Sequence, residues 1–386
     1  MTTPSPAVRT VSALPSARHI ARPRAHTGTI VVGVSGGVDS AVALMRLRDQ
    51  GAAVRAVFMK NWDEDDADGH CPAARDLADA RAVCARLDLA LSTVNFSHEY
   101  WERVFEGFLD EHRRGRTPNP DVTCNQELKF RAFLDYAGDL GATCIATGHY
   151  ARTVHARDGW RLLRARDEDK DQSYFLHRLD QSQLARARFP LGDLDKREVR
   201  RLAREAGLPV HAKKDSTGIC FIGERPFAAF LARYLNADPG VMETPAGISV
   251  GSHRGLAFYT IGQRQGLGIG GRANDSGEPW YVAGKDLARN VLIVVQGRAH
   301  PALHAHGLRS EPAHWIAGHA PALPLRCHAR IRHRQPLQAC RVTALAGGAL
   351  EVRFEQPQWA VTPGQSVVFY DDRICLGGAR IDAAMP

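Results

Sequence analysis

The chain has 386 residues, 44% of them hydrophobic and 24% charged. That balance buries a core and excludes global disorder, the length fits two or three domains, and no run approaches the roughly 18 apolar residues of a membrane span. Lys and Arg number 50 against 42 Asp and Glu, a net charge of +8. Half of that excess lies in residues 1–27, where Arg9, Arg18, Arg22 and Arg24 stand without an acid. What remains is too mild to argue for nucleic acid by its size. Its placement says more. No acid occurs from 312 to 350, while Arg326, Arg330, Arg332, Arg334 and Arg341 do, and a second basic run is His112-Arg113-Arg114-Gly115-Arg116. On charge alone, a solvated basic face and a nucleic-acid face are equally open.

The leader 1–27 is read as a disordered tail, with a transit peptide as the alternative. Order is expected from Gly28. Residues 29–34 form a short β-branched run, as expected of a strand buried on both faces. Val38, Ala41, Val42, Met45 and Leu47 follow at helical spacing, ending near Gly51. Strands are predicted over 54–59, 91–96 and 143–147, and helices over 73–87, 100–112 and 127–137. Strands alternating with helices indicate βαβ units, so 28–225 is read as a doubly wound parallel-sheet α/β domain with its site at the strands' carboxyl ends. A last helix is predicted over 227–235. Beyond it Gly and Pro are frequent and short β-rich runs recur at 257–261, 280–282, 291–295, 350–354 and 366–370. These give a small module over 226–300 and a C-terminal β-barrel over 301–386.

The strongest local signal is Ser35-Gly36-Gly37-Val38-Asp39-Ser40, set between a buried strand and a helix. Glycines let the backbone bend and approach an anion, and the helix start aims free N–H groups and a positive dipole end at it. Asp39 would repel a phosphate unless it holds Mg²⁺ or caps the turn, so a metal-associated polyphosphate is expected. No Gly-Lys-Ser/Thr follows, which excludes a Walker A loop. Gly266-Leu267-Gly268-Ile269-Gly270-Gly271 lacks a preceding strand and is read as a loop. The acidic run 63–68 is read as solvated. Eight cysteines, at 71, 84, 124, 144, 220, 327, 340 and 375, form no C-x-x-C pair, which argues against zinc ribbons; with no apolar signal-peptide core and no need of a disulfide scaffold at this length, a reducing cytoplasm is expected.

Ser-Gly-Gly-Val-Asp-Ser after a strand resembles the pyrophosphatase loop shared by asparagine, argininosuccinate and GMP synthetases, lysidine synthetase and tRNA thiolases. Other strings narrow the choice. Phe58-Met59-Lys60-Asn61-Trp62, Gly115-Arg116-Thr117-Pro118-Asn119-Pro120-Asp121, Cys124-Asn125, Ala146-Thr147-Gly148-His149-Tyr150 and Lys170-Asp171-Gln172-Ser173-Tyr174 occur in order. They are followed by Lys214-Asp215-Ser216-Thr217-Gly218-Ile219-Cys220-Phe221-Ile222-Gly223, Gly262-Gln263-Arg264 and Thr362-Pro363-Gly364-Gln365. Together they are similar to the tRNA-specific 2-thiouridylase family from about residue 28 onward.

The resemblance implies ATP with Mg²⁺ as substrate, no tightly bound cofactor or protein metal site, and ATP contacts from Gly33, Val34, Ser35, Gly36, Gly37, Val38, Asp39, Ser40, Met59 and Gly148. It implies thiolation of the wobble uridine of tRNAs for Lys, Glu and Gln, with Cys124 and Cys220 passing sulfur and closing a transient disulfide. A thiolate can attack a persulfide and leave a disulfide, and cations near both residues favour the thiolate. Cys124 is read as following an irregular Pro-rich loop beside Lys129 and Arg131, and Cys220 as following Lys213 and Lys214 in another loop. Cys84 and Cys144 read as buried small hydrophobes. Asp121 is the implied acid/base. Asn119, Pro120, Asp121, His149, Lys170, Asp171, Gln172, Arg332, His333 and Gln365 are the implied tRNA contacts. His333 stands where the family pattern has an aromatic residue. The implied partners are tRNA and a persulfide-delivering relay protein or cysteine desulfurase.

Overall fold

The structure, a computed structural model, describes residues 28–63, 72–215, 227–270 and 277–386. The leader, most of the acidic run and Cys220 lie outside the described residues. In the first part of the chain, β1 (Ile30–Gly33), β2 (Val54–Lys60), β3 (Leu91–Asn95) and β4 (Cys144–Ala146) precede a hairpin, β5 (Ala151–Ala156) and β6 (Gly159–Arg164), and a short β7 (Ala187–Arg188). A parallel sheet forms in the order β3-β2-β1-β4-β7. Its helices are α1 (Val38–Asp49), α2 (Pro72–Arg86), α3 (97–113), α4 (120–139), α5 (Gln181–Arg186) and α6 (Lys196–Glu205).

Alternation along the strands explains why β1 reads as a continuous apolar run. Ile30, Val32, Ala56 and Phe58 pack with α1, α2 and α6 in one core. Val31 and Val57 face the other core, with Phe105 and Phe108 of α3 and Leu128 and Phe133 of α4. Both sheet faces are covered, which is the doubly wound arrangement that the sequence predicts. Cys84 and Cys144 are buried.

Two elements differ from expectation. The second long helix starts at Pro120, seven residues before the predicted 127, so Cys124 lies on a helix. Asn119 caps it, its Oδ1 accepting from the Asp121 N–H at 3.1 Å, and Pro120 sits at the first helical position. Residues 257–261 form no strand. A 3₁₀ turn, Leu256–Phe258, instead buries Leu256 and Phe258, and the Ala257 carbonyl accepts from His112 Nδ1 at 3.0 Å.

The central module holds α7 (Phe227–Leu231), β8 (Gly240–Glu243), β9 (Ser249–His253), β10 (Trp280–Asp286) and β11 (Val291–Gln296), in sheet order β10-β11-β8-β9. The last region holds β12 (His304–Ser310), β13 (His314–Trp315), β14 (Leu325–Arg330), β15 (Gln338–Ala344), β16 (Leu350–Trp359), β17 (Ser366–Asp371) and β18 (Ile374–Met385). Antiparallel pairing runs β12-β16-β15-β14-β17-β18 and returns from β18 to β12, closing a barrel. The β6 strand of the first region extends this sheet, pairing Leu162 and Leu163 with Cys375 and Ile374 of β18. The first region and the barrel therefore share one sheet.

The two basic runs are only partly surface. Arg330 is 5% exposed and pairs with Asp171 at 3.0 Å. His112 is buried, and Arg116 lies between Glu311 and Asp382 of the barrel. Arg326, Arg334 and Arg341 are exposed.

Candidate active site at the strand ends

The loop after β1 is held tightly. Gly36 has φ +73°, and a Cβ there would lie 2.3 Å from the Asp76 carbonyl, so only glycine fits. Ser40 Oγ accepts from the Ser35 N–H at 3.1 Å and donates to the Gly37 carbonyl at 3.1 Å. Val34 and Val38 are buried and Ser35 is exposed. No side chain caps α1 at Gly37, so its first-turn N–H groups are open to an anion.

Neighbouring elements frame this loop. A Cβ on Gly148 would stand 2.7 Å from Ser40 N and 2.9 Å from Asp39 C. Met59, at the carboxyl end of β2, lies over Gly33, with its Cε 3.3 Å from where a Cβ would be. Gly33, the loop, Met59 and Gly148 are thus brought together.

The sequence reading missed Lys196 and did not connect Lys170 or Lys213 with this loop. Lys196 Nζ is 2.7 and 2.8 Å from the two Asp39 oxygens and 2.7 Å from Asp215 Oδ1, and its side chain is only 12% exposed. Tyr150 OH donates to Asp39 at 2.8 Å. Burial opposes ionisation of Asp215, but hydrogen bonds from Lys170 and Lys196 outweigh it and hold its pKa down at about 2. Lys213 donates to the Gly36 carbonyl at 3.0 Å and to Asp76 at 2.8 Å. Asp195 opens α6 with a capping box, which puts Lys196 at its first helical position. Both Asp39 oxygens are engaged by Lys196, and no cluster of three metal-ligating side chains occurs among the described residues. A cation at this loop would draw most of its ligands from the nucleotide's phosphates.

The sequence of the chain matches known families along most of its length. Residues 28–224 match the tRNA methyl transferase HUP domain, 228–296 the tRNA methyl transferase PRC-barrel domain, and 305–381 the aminomethyltransferase beta-barrel domain. The tRNA-specific 2-thiouridylase MnmA of Methylococcus capsulatus is 59% identical over 355 residues, covering 92% of this chain and 96% of that protein. The protein of the same name from Marinobacter nauticus is 58% identical over 361 residues, covering 93% and 92%. The chain belongs to the tRNA-specific 2-thiouridylase family. A solved 4-thiouridine synthetase–RNA complex with bound ATP is 21% identical, with a TM-score of 0.33, covering 53% of this chain and 50% of that one.

In this thiouridylase-family chain, Cys124 is 0% exposed on α4, while Asp121 and Asn119 are partly exposed one turn earlier. Pro118, Asn119, Val122 and Thr123 line a cleft whose other wall is Arg178, Glu311, Gly364 and Arg380. Several implied RNA contacts are occupied within the fold. Asp171 is 1% exposed and accepts from the Ala165 and Ser173 N–H groups and from Arg330. Gln172 Oε1 accepts from the Tyr150 N–H at 2.9 Å. His149 is buried against Phe130 and Phe189 with Nδ1 2.8 Å from Thr147 Oγ1, and burial pushes its pKa well down.

His333 Nε2 donates to the Asp171 carbonyl at 2.8 Å, and its ring packs 4.4 Å from Phe175. The ring is therefore held inside a domain joint. Gln365 Nε2 donates to the Thr117 carbonyl at 2.7 Å, holding the chain just before Pro118. Arg332 donates to the Ala360 carbonyl at 2.7 Å and lies 4.8 Å over Trp359, whose ring also carries Arg298 at 4.5 Å. Lys170 binds Asp215 at 2.8 Å.

Proposed function

We propose that this chain uses MgATP to replace the C2 oxygen of the wobble uridine with sulfur in tRNAs for Lys, Glu and Gln, releasing AMP and pyrophosphate. The observation that carries the reading is the uncapped α1 start behind Ser35–Ser40, set beside Gly148 and Met59, in a chain 59% identical to a tRNA-specific 2-thiouridylase. Polyphosphate binds the α1 N–H groups, adenine packs on Met59, and Gly148 leaves room for the nucleotide. Mg²⁺ enters with the phosphates and neutralises their charge.

Adenylation of the uridine oxygen turns it into a leaving group. A persulfide on Cys220 supplies sulfur to C2, directly or as hydrosulfide released by Cys124, and a Cys124–Cys220 disulfide remains. Cys124 is buried on α4 rather than in the loop the sequence suggested, so the family resemblance and not its exposure carries this pairing. Asp121, partly exposed and one turn from Cys124, is the acid/base at the target uridine. Folded RNA is read by shape, with Asn119, Pro120, Lys170 and Arg332 facing it and the uridine flipped toward α4. His149, Asp171, Gln172, His333 and Gln365 support that surface from within.

The chain divides at about 225 and 300 into catalytic, central and barrel units. It acts in the cytoplasm, with a relay protein or cysteine desulfurase delivering persulfide. No described helix is long and apolar enough to cross a membrane. Pyrophosphate release tests the reading: it is expected only when unmodified tRNA accompanies MgATP. Equal release without tRNA would overturn it.

A further inference from the structure

The barrel carries a pair of thiols that the reaction above does not use. Cys327 of β14 and Cys340 of β15 are register partners, and their sulfurs are 3.8 Å apart. Directly opposed residues of an antiparallel pair have Cα atoms about 4.5–5.5 Å apart, inside the range that a disulfide spans. To bond, the sulfurs must close from 3.8 Å to about 2.05 Å. Cys340 is buried in the barrel core, and Cys327 is half-buried at its edge. Between them the chain turns through 331–337, which holds Arg332, His333 and Arg334. That turn is pinned by side-chain bonds to Ala360, Asp171 and Gln358.

We propose that Cys327 and Cys340 are a redox-active dithiol, converted by a low-molecular-weight disulfide to a cross-strand disulfide that fixes the Arg332 turn and weakens its hold on RNA. The effect on RNA rests on the RNA-facing role proposed above; the pairing of the two thiols does not. The more accessible Cys327 attacks one sulfur of the small disulfide and displaces the other as a thiolate. Cys340 gives its proton to that thiolate, attacks the Cys327 sulfur and releases the second small thiol. Two protein thiols lose two electrons, and one small disulfide becomes two thiols. A hydrogen bond with Cys327, together with burial, holds the Cys340 thiol far above its usual range, which makes it the resolving partner. Closing this ring restrains a turn whose arginine must leave the Ala360 carbonyl to bind a phosphate.

The test uses the full chain, equilibrated with oxidised and reduced glutathione, alkylated, digested and weighed. A Cys327–Cys340 linked peptide, reversed by dithiothreitol, is expected. With it, tRNA affinity should fall about fivefold, and Cys327→Ser, which keeps Cys124 and Cys220, should abolish that fall. Alkylation of both cysteines under the most oxidising buffer would overturn the pair. A linked peptide with affinity unchanged would overturn the effect on RNA. Failure of the reduced protein to bind tRNA would instead count against the proposed function.

Discussion

Gly148 has no room for a side chain, because the atoms a Cβ would strike belong to the backbone of Asp39 and Ser40. Gly148→Ala must therefore displace the nucleotide loop, and displacements of this kind cost roughly a hundredfold in kcat/KM. Steady-state kinetics should show that loss in the ATP dependence, with circular dichroism unchanged. Lys196 is another residue on which the loop depends, since it bridges Asp39 and Asp215. Lys196→Met leaves two neighbouring carboxylates without their shared cation. The KM for ATP should rise roughly tenfold, and Lys196→Arg should recover part of it. A KM unchanged in Lys196→Met would remove Lys196 from the nucleotide site. Ser35–Ser40 was legible because glycines between a buried strand and a helix have few other uses. Lys196 was not, because nothing local says that a lysine opening a distant helix will meet Asp39.

At the scale of elements, α3 ends inside a joint. His112 near its end is buried against the central module, and burial pushes its pKa down to about 4. Burial likewise holds His177, beneath the barrel, at about 3. A histidine whose folded pKa lies below its free value of 6.5 binds its proton first in the unfolded chain. Its contribution is complete above about pH 6.5 and is lost as pH falls toward 4. The urea midpoint should therefore drop between pH 7.5 and pH 5, and His112→Gln should flatten part of that slope. A midpoint independent of pH would contradict the burial of these rings in the native state. Helix α4 shows what sequence reading can miss locally. The Asn119-Pro120 pair is a start signal, yet the Pro-rich string around it reads as a loop, which delayed the predicted helix to 127. The run 257–261 is apolar because it plugs a core, and burial rather than strand pairing selects those residues.

The whole molecule is tied together by polar groups buried between regions. Asp171 of the first region and Arg330 of the barrel are both almost fully enclosed. Asp171 would keep Arg164 at 3.6 Å as a neighbouring cation, so losing Arg330 should cost about 3 kcal/mol, the low end for breaking a buried pair. Arg330→Ala should lower stability by that amount in a denaturant titration and loosen the barrel from the catalytic unit. The parallel sheet and the later β-rich regions were legible in hydrophobic periodicity. The joining of β6 to β18 was not, because pairing across more than two hundred residues leaves no local pattern. For the same reason the bonds of Asp171 to Arg330 and His333, two regions apart in sequence, were not legible either. The account's central claim is sulfur transfer through Cys124 to a tRNA uridine. Its most direct test is mass analysis of nucleosides from unmodified tRNA(Lys) after incubation with the protein, MgATP and a sulfide source. The account expects 2-thiouridine at the wobble position and none with Cys124→Ser. Full thiolation by Cys124→Ser, or ATP cleavage that requires an acceptor other than tRNA, would contradict it.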